Sequence, residues 1–206
     1  MEKIIEYINQ TYQPLGIIVY GSFADGSNND HSDFDAIVIT TDGDALHDNA
    51  VVAGIELDVF VYPREAFAGD IHYEKYIQIY DGIIISDSDG TASRLKASVN
   101  QYINSIVIKS ATENRTSVEW CEKMLLRASR NDAEGFYRWH WLLMESLEIY
   151  CDLRGKRYLG PKKSIKDMQI NDPAGAEIYM KALGQFDYSA LTAWVSYLRK
   201  IVDASL

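Results

Sequence analysis

The pattern of apolar residues changes near residue 90, and this change constrains the fold more than any other feature of the sequence. Before it, short apolar runs alternate with Gly, Asn, Asp and Pro, which is typical of β-strands joined by turns. These runs are residues 15–21, 34–40, 54–62 and 82–86. After it, apolar residues recur at helical spacing in long segments. The predicted helices span about residues 90–110, 115–131, 133–153 and 187–204.

Strands followed by helices favour an α+β protein with two domains. We expect residues 1–90 to form a domain with a small mixed β-sheet flanked by helices. An opening helix over residues 2–12 would cover one face of that sheet. Residues 91–206 are predicted to form an α-helical bundle. The apolar content of 47% is that of a chain with a packed core.

The formal net charge of −10 is concentrated in the first half of the chain. Residues 1–110 contain six Lys and Arg against 17 Asp and Glu, whereas residues 111–206 contain 14 against 13. Because acidic surfaces repel the phosphate backbone, we do not expect a nucleic acid as partner. A cationic molecule or a metal–phosphate complex is compatible with this charge.

Neither a membrane span nor a secretion signal is predicted. The apolar runs are shorter than the roughly 20 residues that cross a bilayer, and the first ten residues lack the pattern of a signal peptide. We therefore expect a cytoplasmic protein with no membrane partner. Cys121 and Cys151 lie in helix-like apolar segments without metal-ligand spacing, so we expect buried free thiols.

A pair of acids enters an apolar strand within residues 19–39, VYGSFADGSNNDHSDFDAIVI. Side chains alternate along a strand, so Asp33 and Asp35 are predicted to point the same way. Two carboxylates held a few Å apart repel each other unless divalent cations neutralise them. Oxygen ligands of this kind suit Mg²⁺, which typically also binds substrate phosphates.

A third acid, Asp58, lies inside the apolar run 54–62, where an unpaired carboxylate costs several kcal/mol to bury. A strand beside residues 34–40 would bring Asp58 to the acid pair. We therefore predict Asp33, Asp35 and Asp58 as metal ligands and catalytic residues. The turn at Gly21 and Ser22 could approach a phosphate closely because glycine has no Cβ. These two residues, together with Ser32, are our candidates for binding the nucleotide.

These residues resemble the signature of the DNA polymerase β-like nucleotidyltransferase superfamily. That signature is Gly-Ser or Gly-Gly on a strand-to-helix turn, about ten residues, a strand with Asp-x-Asp, and a third acid on a following strand. The matching residues are Gly21, Ser22, Asp33, Phe34, Asp35 and Asp58, within residues 15–62. The alternative is that Asp33 and Asp35 only cap a turn and the start of a strand. This would explain one of the two acids. It would not explain why a pair of acids enters one strand while Asp58 lies inside another.

A small N-terminal catalytic domain followed by helices is similar to the antibiotic adenylyltransferases that act on kanamycin, streptomycin or spectinomycin, and lincosamides. The resemblance implies a Mg²⁺-dependent, ATP-binding transferase and a role in antibiotic resistance. A hydroxyl of a small molecule, such as an aminoglycoside, would attack the α-phosphorus of ATP and release pyrophosphate. Asp58 would be a metal ligand, the general base, or both. Several members build the cleft between subunits, so a homodimer is one implied assembly.

Two features of the second half are candidates for the same site. Glu145, on the predicted helix 133–153, is either a solvated acid or faces the cleft as a general base or a ligand for a cationic substrate, as an acid does in the kanamycin enzyme. The segment 154–166 carries six basic residues. One interpretation is that this segment is solvent-exposed and that its cations lie at the C-terminus of the preceding helix, which favours positive charge. The other is that Lys162 or Lys163 contacts the triphosphate.

A second functional hypothesis is a toxin–antitoxin nucleotidyltransferase that adenylylates or binds a partner protein. The associated nuclease has an Arg followed, after four to six residues, by a His. The arginines nearest before His140 do not have this spacing, so only modification or binding of a separate protein remains under this hypothesis. A catalytically silent nucleotide sensor is disfavoured because all three acids are present.

Overall fold

The computed structural model describes residues 1–204 of the 206, and contacts divide the chain into two compact units, Met1–Ser105 and Ile106–Leu206. The first unit contains α1 (Glu2–Tyr12), β1 (Gly16–Val19), α2 (Ser22–Asp25), β2 (Phe34–Thr40), β3 (Leu46–Asp48), β4 (Val51–Val52), β5 (Ile55–Pro63), 3₁₀ helices at Arg64–Phe67 and Tyr73–Ile79, β6 (Ile83–Asp87) and α3 (Thr91–Ser105). The second contains α4 (Ala111–Ala128), α5 (Ala133–Leu153), α6 (Pro161–Asn171), α7 (Pro173–Gly184) and α8 (Tyr188–Ala204). The predicted α+β class is confirmed.

The first unit is built on a mixed sheet of strand order β3-β5-β2-β1-β6, with β4 paired to β5. Strands β2 and β5 are parallel, whereas β1 is antiparallel to β2. The end of β1 and the beginnings of β2 and β5 therefore lie at the same edge of the sheet. The topology brings the turn after β1 to the acidic segment that precedes β2.

Helix α1 covers one face of this sheet, as the sequence predicted. Its buried residues Ile4 and Ile8 belong to a core with alternate residues of β1, β2 and β5. The strand residues of this core are Ile17, Val19, Phe34, Ala36, Val38, Leu57, Val59 and Val61. The intervening residues of β2 and β5 lie on the other face of the sheet, where Ile37 and Ile39 of β2 are buried as well.

Helix α3 packs against β1, β6 and the 3₁₀ helix Tyr73–Ile79 through Leu95, Val99 and Ile103, which are buried. It therefore belongs to the first unit and not to the helical domain predicted for residues 91–206. Helical periodicity identifies the apolar face of α3 but does not say which element that face covers.

The second unit is a set of helices around one core, which includes Trp194 and the two predicted buried free thiols, Cys121 and Cys151. Helices α6 and α7 were not predicted. Each begins at a proline, which is tolerated in the first turn because that residue's N–H has no helical partner. Among the helices of residues 1–204, none is both long and apolar enough to cross a lipid bilayer.

Candidate active site

Three carboxylates converge at the edge of the sheet where β2 and β5 begin. Asp35 and Asp58 are direct neighbours on these parallel strands, and Asp33 lies two residues before Asp35. One carboxylate oxygen from each of the three lies within 4.8 Å of the others. The structure thus has the convergence that the spacing of these acids predicted, while their catalytic and metal-binding roles stay predictions.

The same register that gathers the acids buries their apolar neighbours. Phe34 and Leu57, the pair preceding Asp35 and Asp58, are 0% and 1% exposed. A slip of one residue in either strand would put a carboxylate into the core and expose a large apolar side chain. Burial of Phe34 and Leu57 therefore holds the acids on the opposite face.

The turn after β1 approaches one of these carboxylates directly. Gly21 has φ of +65°, and a Cβ on this residue would lie 2.1 Å from Asp35 Oδ2. The Tyr20 N–H donates a hydrogen bond of 3.1 Å to the carbonyl oxygen of Asp35, which ties the end of β1 to β2. Glycine is thus required both by the backbone and by the carboxylate beside it.

Tyr20 is a neighbour of the acids that was not predicted from the sequence. Its side chain is 6% exposed. Burial raises the pKa of the Tyr20 phenol, and the nearby charges of Asp58 and Asp35 raise it further, while a hydrogen bond with Gln78 opposes them. Tyr20 therefore keeps its proton at neutral pH, so it adds no further negative charge beside the acids.

His47, which was not predicted from the sequence either, contacts Asp58 from the neighbouring strand β3. His47 Nε2 lies 2.7 Å from Asp58 Oδ1. The imidazole stacks on the ring of Phe60, with centroids 4.4 Å apart and planes at 12°, because His47 and Phe60 are opposite each other in the β3–β5 pair. A strand of three residues carries too little alternation to be predicted from its sequence.

Comparison with known proteins agrees with this geometry. Residues 2–59 match the family model described as polymerase beta, nucleotidyltransferase. The N-terminal segment of this chain is thus similar to a polymerase beta nucleotidyltransferase domain. The matched residues include Gly21 and all three acids, so the domain supports nucleotidyl transfer as the general chemistry.

One solved structure is similar over most of the chain, a nucleotidyltransferase-like protein from Exiguobacterium sibiricum. The two are 14% identical, with a TM-score of 0.39, and the match covers 98% of this chain and 72% of the other. The comparison with curated proteins gives no match.

Within the first unit, the loop before β2 borders a polar cleft of about 840 Å³. Ser32 and Asp33 lie among its lining residues, together with Glu56. The Ser32 hydroxyl accepts a hydrogen bond of 2.9 Å from the N–H of Asn29, and the Ser32 N–H donates to the carbonyl oxygen of Asn29. Ser32 therefore shapes this loop, and its contact with a nucleotide stays a prediction.

The remaining predicted site residues, Glu145, Lys162 and Lys163, lie in the second unit. Glu145 is exposed and lines a cleft of about 380 Å³ that is described below. Lys162 and Lys163 lie in the first turn of α6. Their predicted roles toward the triphosphate and the acceptor stay predictions.

Much of the basic segment 154–166 makes contacts within the second unit. Arg154 pairs with Asp172, Lys156 pairs with Asp167, and Arg157 donates to the carbonyl oxygen of Ile106. These contacts favour a structural role for the first part of the segment.

The three carboxylates fit a hard divalent cation. They offer only oxygen donors, which are the ligands that Mg²⁺ prefers. Asp35 and Asp58 lie on two paired strands that hold them together, and Asp33 directly precedes the first of these strands. A divalent cation held between them would neutralise the repulsion of like charges at this separation. The donor set therefore matches the ion that the nucleotidyltransferase family implies.

Proposed function

We propose that this protein is a Mg²⁺-dependent nucleotidyltransferase that transfers AMP from ATP to a hydroxyl of a small molecule and releases pyrophosphate. The observation that carries the proposal is the convergence of Asp33, Asp35 and Asp58 at the edge of a polymerase beta nucleotidyltransferase domain. We place the nucleotide on the side of the Gly21 turn, because this turn lies against Asp35.

In the proposed reaction the acceptor oxygen forms a bond to the α-phosphorus of ATP, and the bond from this phosphorus to the pyrophosphate oxygen breaks. Asp33, Asp35 and Asp58 would hold Mg²⁺, which when bound neutralises charge on the triphosphate and on the leaving pyrophosphate. Asp58 accepts the proton of the attacking hydroxyl. Gly21, which lies against Asp35, and the following Ser22 would position the triphosphate for in-line attack.

The cleft in the second unit supports a cationic acceptor. It is lined by the carboxylates of Glu145 and Glu148 and by the indoles of Trp120 and Trp141, whose rings are 5.6 Å apart. Lys109 also lines the cleft, but its ammonium is paired with Asp152 at 2.8 Å. Its volume lies within the range of about 300 to 1,000 Å³ typical of small-molecule sites. Aromatic faces next to carboxylates attract organic cations. We therefore propose an aminoglycoside-type antibiotic as the acceptor and resistance as the role.

The test is turnover of ATP by the purified protein with MgCl₂ and a panel of aminoglycosides and related amino sugars. We expect pyrophosphate release with at least one acceptor, a product that carries AMP by mass spectrometry, and loss of both in the Asp35→Asn variant. Pyrophosphate release that is equal in the wild type and Asp35→Asn would contradict the proposal. Label from α-labelled ATP on a co-purifying polypeptide would instead support modification of a partner protein.

A further inference from the structure

Asp58, the third acid of the cluster, makes a hydrogen bond with His47 that has no role in the reaction proposed above. His47 Nε2 and Asp58 Oδ1 are 2.7 Å apart, a separation typical of a strong hydrogen bond to a carboxylate. The side chains are 46% and 36% exposed, so this contact lies at the open side of the cluster. A hydrogen bond here restricts rotation of the Asp58 carboxylate.

Two further contacts hold the imidazole in place. Its ring stacks on Phe60, the residue two positions after Asp58 on the same face of β5. The next residue of β3, Asp48, points to the opposite face, where its Oδ2 accepts hydrogen bonds from the hydroxyls of Tyr7 (3.1 Å) and Tyr12 (2.7 Å). Anchoring of Asp48 by helix α1 thus keeps His47 on the side of the acids.

We propose that His47 is a positioning residue that fixes the Asp58 carboxylate in the orientation used for the divalent cation and for the acceptor hydroxyl. This inference rests on the function proposed above. Asp58 has to present an oxygen to a cluster that also contains Asp33 and Asp35, and a freely rotating carboxylate presents it only part of the time. Groups that orient metal ligands in this way typically contribute about 10- to 100-fold to metal affinity or to activity.

The first test measures Mn²⁺ binding to the nucleotide-free protein by electron paramagnetic resonance, so that it does not depend on turnover. We expect His47→Ala to weaken Mn²⁺ binding about tenfold. His47→Gln should recover most of the affinity, because a glutamine amide can donate to the same oxygen. At saturating MgCl₂, kcat should fall about tenfold in His47→Ala with little change in the KM for ATP.

The matched control is His72→Ala in the same unit. His72 is an exposed histidine whose Nδ1 lies 3.3 Å from a Glu74 oxygen, outside the acid cluster. This variant should bind Mn²⁺ and turn over ATP like the wild type. A double-mutant cycle supplies a second check, because in the Asp58→Asn background the His47→Ala change should have no further effect on Mn²⁺ affinity.

The outcomes separate this inference from the proposed function. If Asp58→Asn weakens Mn²⁺ binding while His47→Ala leaves it unchanged, the positioning role of His47 is overturned and the metal site stands. Equal losses in His47→Ala and His47→Gln would overturn it as well, since the donor would then be irrelevant. If Asp33→Asn and Asp58→Asn bind Mn²⁺ as the wild type does, the proposed function itself fails.

Discussion

Gly21 and Asp35 lie so close together that the glycine has no room for a side chain. A Cβ on residue 21 would lie 2.1 Å from Asp35 Oδ2 and 2.8 Å from the carboxyl carbon. The contact joins the turn after β1 to the acid on β2, so the position of this turn and the direction of the Asp35 carboxylate depend on each other.

The Gly21→Ala variant should therefore displace the Asp35 carboxylate and lower Mg²⁺-dependent turnover at least about tenfold. Gly26→Ala is the matched control, because Gly26 has φ of +72° but open space around its Cβ position. Both variants place alanine at a positive φ. The backbone of Gly21, with ψ of −149°, strains alanine more than the left-handed backbone of Gly26, with ψ of 16°, and only Gly21→Ala also carries the clash. Steady-state kinetics and thermal unfolding of the two variants check this, and equal activity in both would contradict it.

Removal of single acids from the cluster should abolish turnover without unfolding the protein. We expect Asp33→Asn, Asp35→Asn and Asp58→Asn each to lower kcat about a thousandfold, which corresponds to the several kcal/mol that a metal ion contributes. Addition of MgCl₂ should raise the Tm of the wild type, and EDTA should reverse this, because a ligand that binds the folded state stabilises it. The variants should show no such shift, whereas Asp44→Asn, an exposed acid outside the cluster, should behave like the wild type.

Glu145→Gln distinguishes acceptor binding from general base catalysis. Glu145 is exposed and lines the cleft beside Trp120 and Trp141. We expect the KM for a cationic acceptor to rise about fivefold, because loss of a partly solvated ion pair costs about 1 kcal/mol, while kcat stays unchanged. Glu119→Gln, an exposed acid on α4, is the control. A large fall in kcat with constant KM would instead make Glu145 the general base.

Acid should destabilise the second unit through Asp172. Burial opposes ionisation of this carboxyl, but hydrogen bonds from Tyr197, Tyr150 and the Gly175 N–H, with Arg154 alongside, outweigh it and lower the pKa of Asp172 to about 2. Because the folded pKa is lower than the unfolded value, the stabilisation is complete above about pH 4 and is lost as the pH falls to 2.

The wild type should therefore lose about 2 kcal/mol of unfolding free energy between pH 4 and pH 2 that Asp172→Asn does not lose. Urea unfolding at a series of pH values, followed by circular dichroism, measures this difference. Glu177→Gln, which changes an exposed acid on the same helix α7, should keep the pH dependence of the wild type. An identical pH dependence in Asp172→Asn and the wild type would show that the carboxyl does not carry this effect.

A buried hydrogen bond should contribute measurably to the core of the second unit. The Trp194 indole Nε1–H donates to Ser146 Oγ at 2.8 Å, and both residues are 0% exposed. Ser146→Ala leaves the indole N–H without its acceptor, so we expect a loss of about 1 to 3 kcal/mol in unfolding free energy. Denaturant unfolding monitored by tryptophan fluorescence measures it, and Ser189→Ala, an exposed position on α8, is the comparison.

The residues that sequence analysis placed correctly are those whose signal is local. The bounds of α1, β2 and α5 follow from the pattern of apolar residues within each element. These elements are 11, 7 and 21 residues long. Alternation within a strand put Asp33 and Asp35 on one face. An acid inside an apolar strand marked Asp58, because a carboxylate is found there only when something nearby accommodates its charge.

Only the tertiary structure decided the features that depend on which elements become neighbours. These features are the in-register pairing of Asp35 with Asp58, the contact of His47 with Asp58 and the burial of Tyr20 beside the acids. Each joins residues that are distant in the sequence. The packing of α3 on the sheet is of the same kind. The periodicity of a sequence specifies which face of an element is apolar. Which element packs against that face is decided by packing of the whole chain, and this choice leaves no local pattern in the sequence.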